Sequence, residues 1–207
     1  MENELIAKPW GHEYCAYRNE HVAVWVMEIS RDAQTSLHAH PRKSTAFVVL
    51  RGMIEMHLLR GTPIVMRPLD KINVFRGRFH RQRARTDCVA LLEIEAPDIK
   101  DDIVRLEDDY GRTGQPIEMP TAPLPAGALV LSEPVPFNSV FAERELILFT
   151  RGNLSLNRTM LQGVFVALRG GFENGLLAPG EAIDGASLLR LAYRFSLRDD
   201  TLLLWVR

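Results

Sequence analysis

The sequence has few of the features that mark membrane, secreted and nucleic-acid-binding proteins. Its 207 residues contain two cysteines, Cys15 and Cys88, and no apolar run of about 18 residues. The N-terminal stretch MENELIAKPWG lacks the basic and apolar regions of a secretory signal. Lys and Arg (25) balance Asp and Glu (26), for a net charge of −1. We therefore expect a cytoplasmic protein with reduced, buried cysteines that binds neither nucleic acid nor membrane.

Lysine is also scarce, because the chain has 4 Lys against 21 Arg. Arginine is suited to paired hydrogen bonds with phosphate and carboxylate groups. A GC-rich coding sequence favours the same bias, so the composition leaves both interpretations open.

Apolar and polar residues alternate over most of the chain, which predicts β-strands. Many short strands separated by Gly- and Pro-containing turns are typical of a sandwich or barrel. Apolar residues at helical spacing predict one helical turn over Asp98–Tyr110, and the four prolines of residues 115–126 predict a linker. The predicted strands are His21–Ser30, Thr45–Arg51, Met53–Leu59, Pro63–Arg67, Lys71–Phe75, His80–Arg85, Cys88–Glu95, Ala128–Ser132, Glu145–Thr150, Gly163–Arg169, Ser187–Phe195 and Thr201–Val206.

The second half of the chain repeats two landmarks of the first half in the same order. Phe47–Gly52 reads FVVLRG and Phe165–Gly170 reads FVALRG. Further on, RTDC precedes the apolar run VALLEI in the first half, and RDDT precedes LLLWV in the second. We infer a duplication, in which residues 127–207 form a β-sandwich and Phe165–Gly170 holds the place of Phe47–Gly52.

The six histidines all lie in the first half of the chain. His38 and His40 are two residues apart in a strand-like segment, so their imidazoles project from the same face. Imidazole nitrogens bind divalent transition metals. Together with His80, His38 and His40 predict a site for one Zn, Fe, Ni or Mn ion. Gln82 has the same inward parity as His80 on its strand.

These residues resemble the two signature motifs of the cupin superfamily. The first motif combines HxH, a Glu and a Gly, and His38, His40 and Gly52 match it. The second ends in a histidine, and Gly77 and His80 match it. The resemblance implies a small β-barrel whose ligands point inward. Thr45 stands where the family has its Glu, so three neutral imidazoles would hold the metal and Thr45 would hydrogen-bond a water on it.

The flanking segments resemble a narrower group. Lys8-Pro9-Trp10-Gly11 and the stretch DDIVRLEDDYGR (residues 101–112) look like the bounds of the cupin domain in type II mannose-6-phosphate isomerases, where that domain is fused to a mannose-1-phosphate guanylyltransferase. The resemblance covers residues 7–113. It implies a sugar phosphate ligand, with Lys8 and Arg105 as anion contacts and Thr45 and Gln82 beside the substrate. Because the family Glu is missing, we expect weak or no isomerisation of mannose 6-phosphate.

The sequence thus predicts an all-β bicupin with a double-stranded β-helix (jelly-roll) fold. A cupin barrel with the metal site would span residues 1–114, and a degenerate cupin-like half without ligands would span residues 115–207, in a homodimer. The predicted function is the isomerase-like handling of a sugar phosphate or a related small polar metabolite. Two other functions also fit, a three-histidine non-haem iron dioxygenase and a non-catalytic sugar- or effector-binding module. The sequence does not indicate the catalytic base.

Overall fold

The structure, a computed structural model, describes residues 4–115, 117–154 and 157–207 and consists mainly of antiparallel strands. One α-helix, α1 (Gly185–Ala192), and two 3₁₀ turns, Arg151–Asn153 and Arg158–Leu161, accompany the strands. No helix in these ranges is long and apolar enough to cross a membrane. The strands are β1 (Glu4–Lys8), β2 (Gly11–Arg18), β3 (Ala23–Ile29), β4 (Leu37–Ala39), β5 (Ser44–Arg51), β6 (Ile54–Leu58), β7 (Ile64–Met66), β8 (Lys71–Val74), β9 (His80–Ala84), β10 (Val89–Ala96), β11 (Val104–Glu107), β12 (Ala122–Pro123), β13 (Phe137–Phe141), β14 (Arg144–Thr150), β15 (Val164–Arg169), β16 (Ala182–Asp184) and β17 (Leu202–Val206).

The first half of the chain forms two facing sheets. The large sheet has the strand order β12-β1-β2-β3-β10-β5-β8, and the small sheet has the order β11-β4-β9-β6-β7. Side chains alternate across each strand, so every strand contributes residues to the space between the sheets. That space is filled by an apolar core, which includes Met27, Phe47 and Val49 from the large sheet and Ile54 and Met56 from the small one. The predicted all-β cupin fold is confirmed.

The C-terminal sheet repeats part of the large sheet. Its strand order is β13-β14-β17-β15-β16, and the corresponding strands of the large sheet run β2-β3-β10-β5-β8. The order along the chain agrees as well, since β15 (FVALRG) corresponds to β5 (FVVLRG). Phe47 pairs with Ile72 on one side and Glu93 on the other. Phe165 pairs with Ile183 and Trp205 in the same places. The two strand orders therefore correspond, as the duplication inferred from the sequence requires.

The two related sheets pack against each other through their apolar faces. One continuous core cluster contains Val48 and Leu92 of the large sheet together with Val166 and Leu204 of the C-terminal sheet. Asn73 adds polar contacts across this junction, because its side chain donates to the Ala182 carbonyl at 3.0 Å and accepts from the Ala182 amide at 2.9 Å. The outer face of the cupin barrel is therefore covered by the second half of the same chain.

The prediction of a β-sandwich for residues 127–207 is wrong, because only one of its two layers is a sheet. The predicted strand Ser187–Phe195 is largely helix α1, whose residues Leu188 and Leu189 pack on the free face of the C-terminal sheet. Asp184 caps this helix by accepting a hydrogen bond from the Ser187 amide at 2.8 Å. The small sheet, which carries the three predicted ligands, has this helix and irregular segments as its counterpart in the second half.

Three further expectations are wrong. The strand expected over Ala128–Ser132 does not form. The helical turn expected over Asp98–Tyr110 is absent, and this segment instead contributes β11, which pairs with β4 at the edge of the small sheet. Pairing with an existing sheet edge satisfies backbone groups that a single helical turn would leave exposed. Cys88 is exposed rather than buried, because it lies in a turn with a positive φ of 50°. Cys15 is half-buried, and both cysteines are free thiols.

Candidate metal centre

The small sheet brings the three predicted ligands together. His38 lies on β4 and pairs directly with His80 on β9, and His40 follows one residue after β4 ends. The ring centroids are 4.5 Å apart for His38 and His80, 4.9 Å for His38 and His40, and 5.4 Å for His40 and His80. One nitrogen from each ring lies within 4.8 Å of the others. The three imidazoles thus converge on one point, and all three are buried.

Backbone carbonyls fix the protonation of all three rings. The Nδ1 atoms of His38, His40 and His80 lie 2.9, 2.5 and 3.0 Å from the carbonyl oxygens of Ser36, Asp102 and Arg78, respectively. A carbonyl oxygen only accepts, so each Nδ1 carries the hydrogen and each Nε2 keeps its lone pair. Hydrogen bonds of this kind, made by the ring nitrogen that does not bind the metal, orient metal-binding histidines. The Nε2 atoms of His40 and His80 are buried without a hydrogen-bond partner, which is the state that a metal ligand requires.

The surroundings keep the imidazoles neutral. Burial lowers the pKa of His38 well below its ordinary value, and the neighbouring His80 and His40 lower it further. Burial and the charge of Lys43 lower the pKa of His40 to about 3. Burial lowers the pKa of His80 to about 4. At neutral pH all three side chains are therefore uncharged donors of a lone pair.

The donor set fits a divalent transition metal. Three neutral imidazole nitrogens suit Zn, Fe, Ni or Mn, which leave further coordination positions for water or a ligand. Thr45 is buried on β5, and its hydroxyl oxygen has no hydrogen-bond partner. No Asp or Glu of the described residues joins the three histidines in the cluster.

The cavity beside the histidines is polar and small, with a volume of about 70 Å³. This volume is below the roughly 300–1,000 Å³ that is usual for ligand pockets, so it admits only part of a metabolite as the side chains now lie. Three of the four lysines of the chain line it, namely Lys8, Lys43 and Lys100. The lysines therefore cluster here in a chain that otherwise uses arginine. The other lining residues are Trp10, Glu13, Met27, Thr35, Ser36, His38, His40, Gln82, Glu93, Glu95, Ile103, Arg105, Arg112 and Ile117.

A buried ion pair in this cavity was not predicted from the sequence. The Lys43 ammonium, whose side chain is 2% exposed, lies 2.5 Å from Oε1 of Glu95. The other oxygen, Oε2, is buried without a partner. Burial raises the pKa values of both Glu93 and Glu95, and the positive charge of Lys43 opposes this shift. A signal existed, because Glu93 and Glu95 have the same strand parity as the core residue Leu91, which places two carboxyl groups inside the barrel.

The predicted substrate contacts take different positions around the cavity. Gln82 is buried and accepts a hydrogen bond from the Thr35 hydroxyl at 2.8 Å. Lys8 and Arg105 also line the cavity, but both face internal carboxylates: Lys8 forms ion pairs with Glu13 at 3.2 Å and with Glu118 at 2.7 Å. Arg105 lies 3.8 Å from Glu118. Thr45 is not one of the lining residues.

Comparisons with known proteins give low-identity matches to solved structures of this fold. KdgF from Halomonas sp. is 18% identical with a TM-score of 0.43, and the match covers 45% of this chain and 86% of that chain. An uncharacterised Klebsiella pneumoniae protein with a double-stranded β-helix domain is 16% identical with a TM-score of 0.43, covering 52% and 89%. The cupin domain of Schizosaccharomyces pombe Cnp3 is 21% identical with a TM-score of 0.39, covering 42% and 64%. No protein-family model and no curated protein matches the chain.

The two facing sheets make the first half of the chain a cupin barrel. Its three-histidine cluster offers the nitrogen donors that a divalent transition metal prefers. In the second half, the C-terminal sheet has the strand order of the large sheet, and the described residues form no counterpart of the small sheet that carries His38 and His80.

Proposed function

We propose that the cupin barrel binds one divalent transition metal through His38, His40 and His80 and converts a small anionic metabolite by acid–base chemistry. The observation that carries this proposal is the convergence of three neutral imidazoles beside a cavity that also holds the buried Lys43–Glu95 pair. A bound ion would supply a Lewis acid for a carbonyl or hydroxyl oxygen of the ligand. A sugar phosphate, converted between aldose and ketose forms, is our first candidate substrate.

Glu95 and Lys43 supply the proton-transfer groups that such an isomerisation needs. The reaction moves a proton between adjacent carbon atoms and requires a positioned base. Glu95 keeps Oε2 free of hydrogen bonds while Lys43 holds Oε1. We therefore assign Glu95 as the base, and Lys43 as the cation that orients it and balances negative charge forming on the ligand.

One observation favours a second candidate. The ligand cluster contains neutral imidazoles and no carboxylate among the described residues, which also suits a three-histidine non-haem iron dioxygenase. The buried ion pair favours acid–base chemistry, because oxygen activation does not by itself require a proton-transfer pair at this place.

The test starts from metal analysis of the purified full-length protein. The metal-loaded protein is then assayed with hexose and pentose phosphates, including mannose 6-phosphate, under air and under nitrogen. We expect turnover that is independent of oxygen, lost in Glu95→Gln and kept in Glu107→Gln, an exposed surface control. Turnover that consumes oxygen would establish the dioxygenase instead, and ligand binding without turnover would make the protein a binding module.

A further inference from the structure

A group of cations lines the cavity together with the histidines. Lys8, Arg105 and Arg112, here called the cation cluster, come from two parts of the chain, β1 and the segment of β11 with the residues after it. The side chains of Lys8, Arg105 and Arg112 are 7%, 6% and 12% exposed. Burying three cations together is unfavourable unless anions compensate them, so the groups that face the cluster define its function.

Glu118 is the carboxylate shared by the whole cluster. Its Oε2 lies 2.7 Å from the Lys8 ammonium and 3.8 Å from Nη2 of Arg105, and its Oε1 lies 2.8 Å from Nη1 of Arg112. Burial opposes its ionisation, but hydrogen bonds from Lys8 and Arg112 outweigh burial and lower the pKa of Glu118 to about 2. Glu118 is therefore an ionised anion that sits where three cations converge.

Without Glu118, the positive charge of the cation cluster would be compensated only in part. Within the described part of the chain, Glu118 is the carboxylate that forms an ion pair with Arg105. Nη1 of Arg105 donates to the carbonyls of Arg112 and Gln115, and its Nε is buried without a hydrogen-bond partner. Four cations, Lys8, Lys100, Arg105 and Arg112, would then have two carboxylates, Glu13 and Asp108, as ion-pair partners. A phosphate monoester carries close to two negative charges at neutral pH and offers several oxygens to Arg and Lys donors.

We propose that the cation cluster is a phosphate-binding site and that Glu118 occupies it as an internal competitor, which the phosphate group of the substrate displaces. This inference rests on the proposed function and narrows it to substrates with a phosphate at one end and a hydroxyl or carbonyl oxygen at the other. The two ends would be held at the cation cluster and at the histidine centre, which line the same cavity.

The experiment uses inorganic phosphate as the probe and isothermal titration calorimetry of the full chain, both metal-free and zinc-loaded. The variant is Glu118→Gln, which keeps the shape and removes the charge, and the control is Glu107→Gln. The carboxylate of Glu118 is tethered to the chain and competes with phosphate at an effective concentration on the order of millimolar. The apparent affinity for phosphate falls in proportion to the fraction of molecules in which the site is free of Glu118. We expect phosphate to bind Glu118→Gln at least about tenfold more tightly than the wild type, with Glu107→Gln unchanged. Glu118→Ala replaces Glu118→Gln if thermal unfolding shows that the latter is not folded.

A second substitution shows whether the cluster itself holds the phosphate. Adding Arg105→Met to Glu118→Gln should return the affinity to the wild-type level or below. The proposal is overturned if removing Glu118 leaves phosphate affinity unchanged, if the gain survives Arg105→Met, or if acetate binds as tightly as phosphate. Adding His80→Ala separates the two claims. Phosphate binding should persist in that variant while metal binding is lost, so failure of the metal centre and failure of the phosphate site give different results.

Discussion

Glu95 lies directly opposite Thr45 on the neighbouring strand of the large sheet. Opposed residues of antiparallel strands have Cβ atoms about 4.5–5.5 Å apart, so these two side chains share one place inside the barrel. Glu95 Oε2 and the Thr45 hydroxyl are both buried without partners. A carboxylate therefore lies one strand away from Thr45, and Lys43 holds it.

Thr45→Glu should tighten metal binding and destabilise the metal-free protein. The new carboxylate adds a charged donor beside three imidazoles, but it also faces Glu95 at close range, and like charges repel. We expect the metal-free variant to lose about 1–3 kcal/mol in urea unfolding and its zinc affinity in a chelator competition to rise at least about tenfold, roughly 1.4 kcal/mol. Thr45→Val is the control without charge. Unchanged zinc affinity would show that position 45 does not reach the metal, and gained activity on mannose 6-phosphate would mark the chain as a lapsed isomerase.

His80→Ala should remove most of the bound metal. His80 supplies one of three converging imidazoles, and two remaining neutral ligands hold a divalent ion weakly. Metal content measured by mass spectrometry should fall from near one ion per chain to a small fraction. His57→Ala is the matched control, because His57 is half-buried on β6 and contacts Glu55 outside the cluster. Equal metal content in His80→Ala and the wild type would rule out the centre.

Lys43→Met should destabilise the protein strongly, because it leaves the Glu95 carboxylate buried without its cation. Loss of one partner of a buried pair costs about 3–5 kcal/mol. The double variant Lys43→Met with Glu95→Gln removes both charges and should recover most of that loss in chemical denaturation. Lys71→Met, at the one lysine outside the cavity, should change stability by less than about 0.5 kcal/mol. Equal stability of the single and double variants would mean that the pair is not coupled.

Glu118 should stabilise the protein in a way that depends on pH. Its folded pKa, about 2, lies below the ordinary value of 4.5. A carboxyl group whose pKa is lower in the folded state stabilises the protein at pH values above its pKa in the unfolded state. That stabilisation is lost as the pH falls from 4.5 towards 2. Wild type should therefore be more stable than Glu118→Gln from pH 5 to 8, and the two should converge in acid. A difference that is constant down to pH 2.5 would contradict the ionised state of Glu118.

The fold and the three-histidine cluster could be predicted because they depend on local patterns. Strict alternation fixes which residues face inward, and it placed His38, His40 and His80 on one side of the small sheet. The repeated FVVLRG and FVALRG runs are strands in both halves because β-branched and aromatic residues pack well on a pleated surface. Both patterns can be recognised in the sequence without any knowledge of tertiary contacts.

The remaining features depend on contacts between distant residues. Apolar residues in Ser187–Phe195 suit a helix as well as a strand, and the Asp184 cap decides between them. Arg105 and Lys8 were expected to contact an anionic ligand. In the structure, Lys8 forms an ion pair with Glu118, which lies more than 100 residues later in the sequence. The sequence gives no sign of this pairing, because Glu118 lies inside the proline-rich segment 115–126 that predicts a linker.

The packing of the C-terminal sheet on the barrel has a consequence for what happens if the chain is cut. Residues Pro125–Gly127 are exposed, while the core shared by the two sheets is buried on both sides of them in the sequence. A single protease cut at this place would break the chain without breaking the shared core or the Asn73–Ala182 hydrogen bonds. The nicked protein should show two bands on a denaturing gel and yet leave a sizing column as one species with its histidine centre intact.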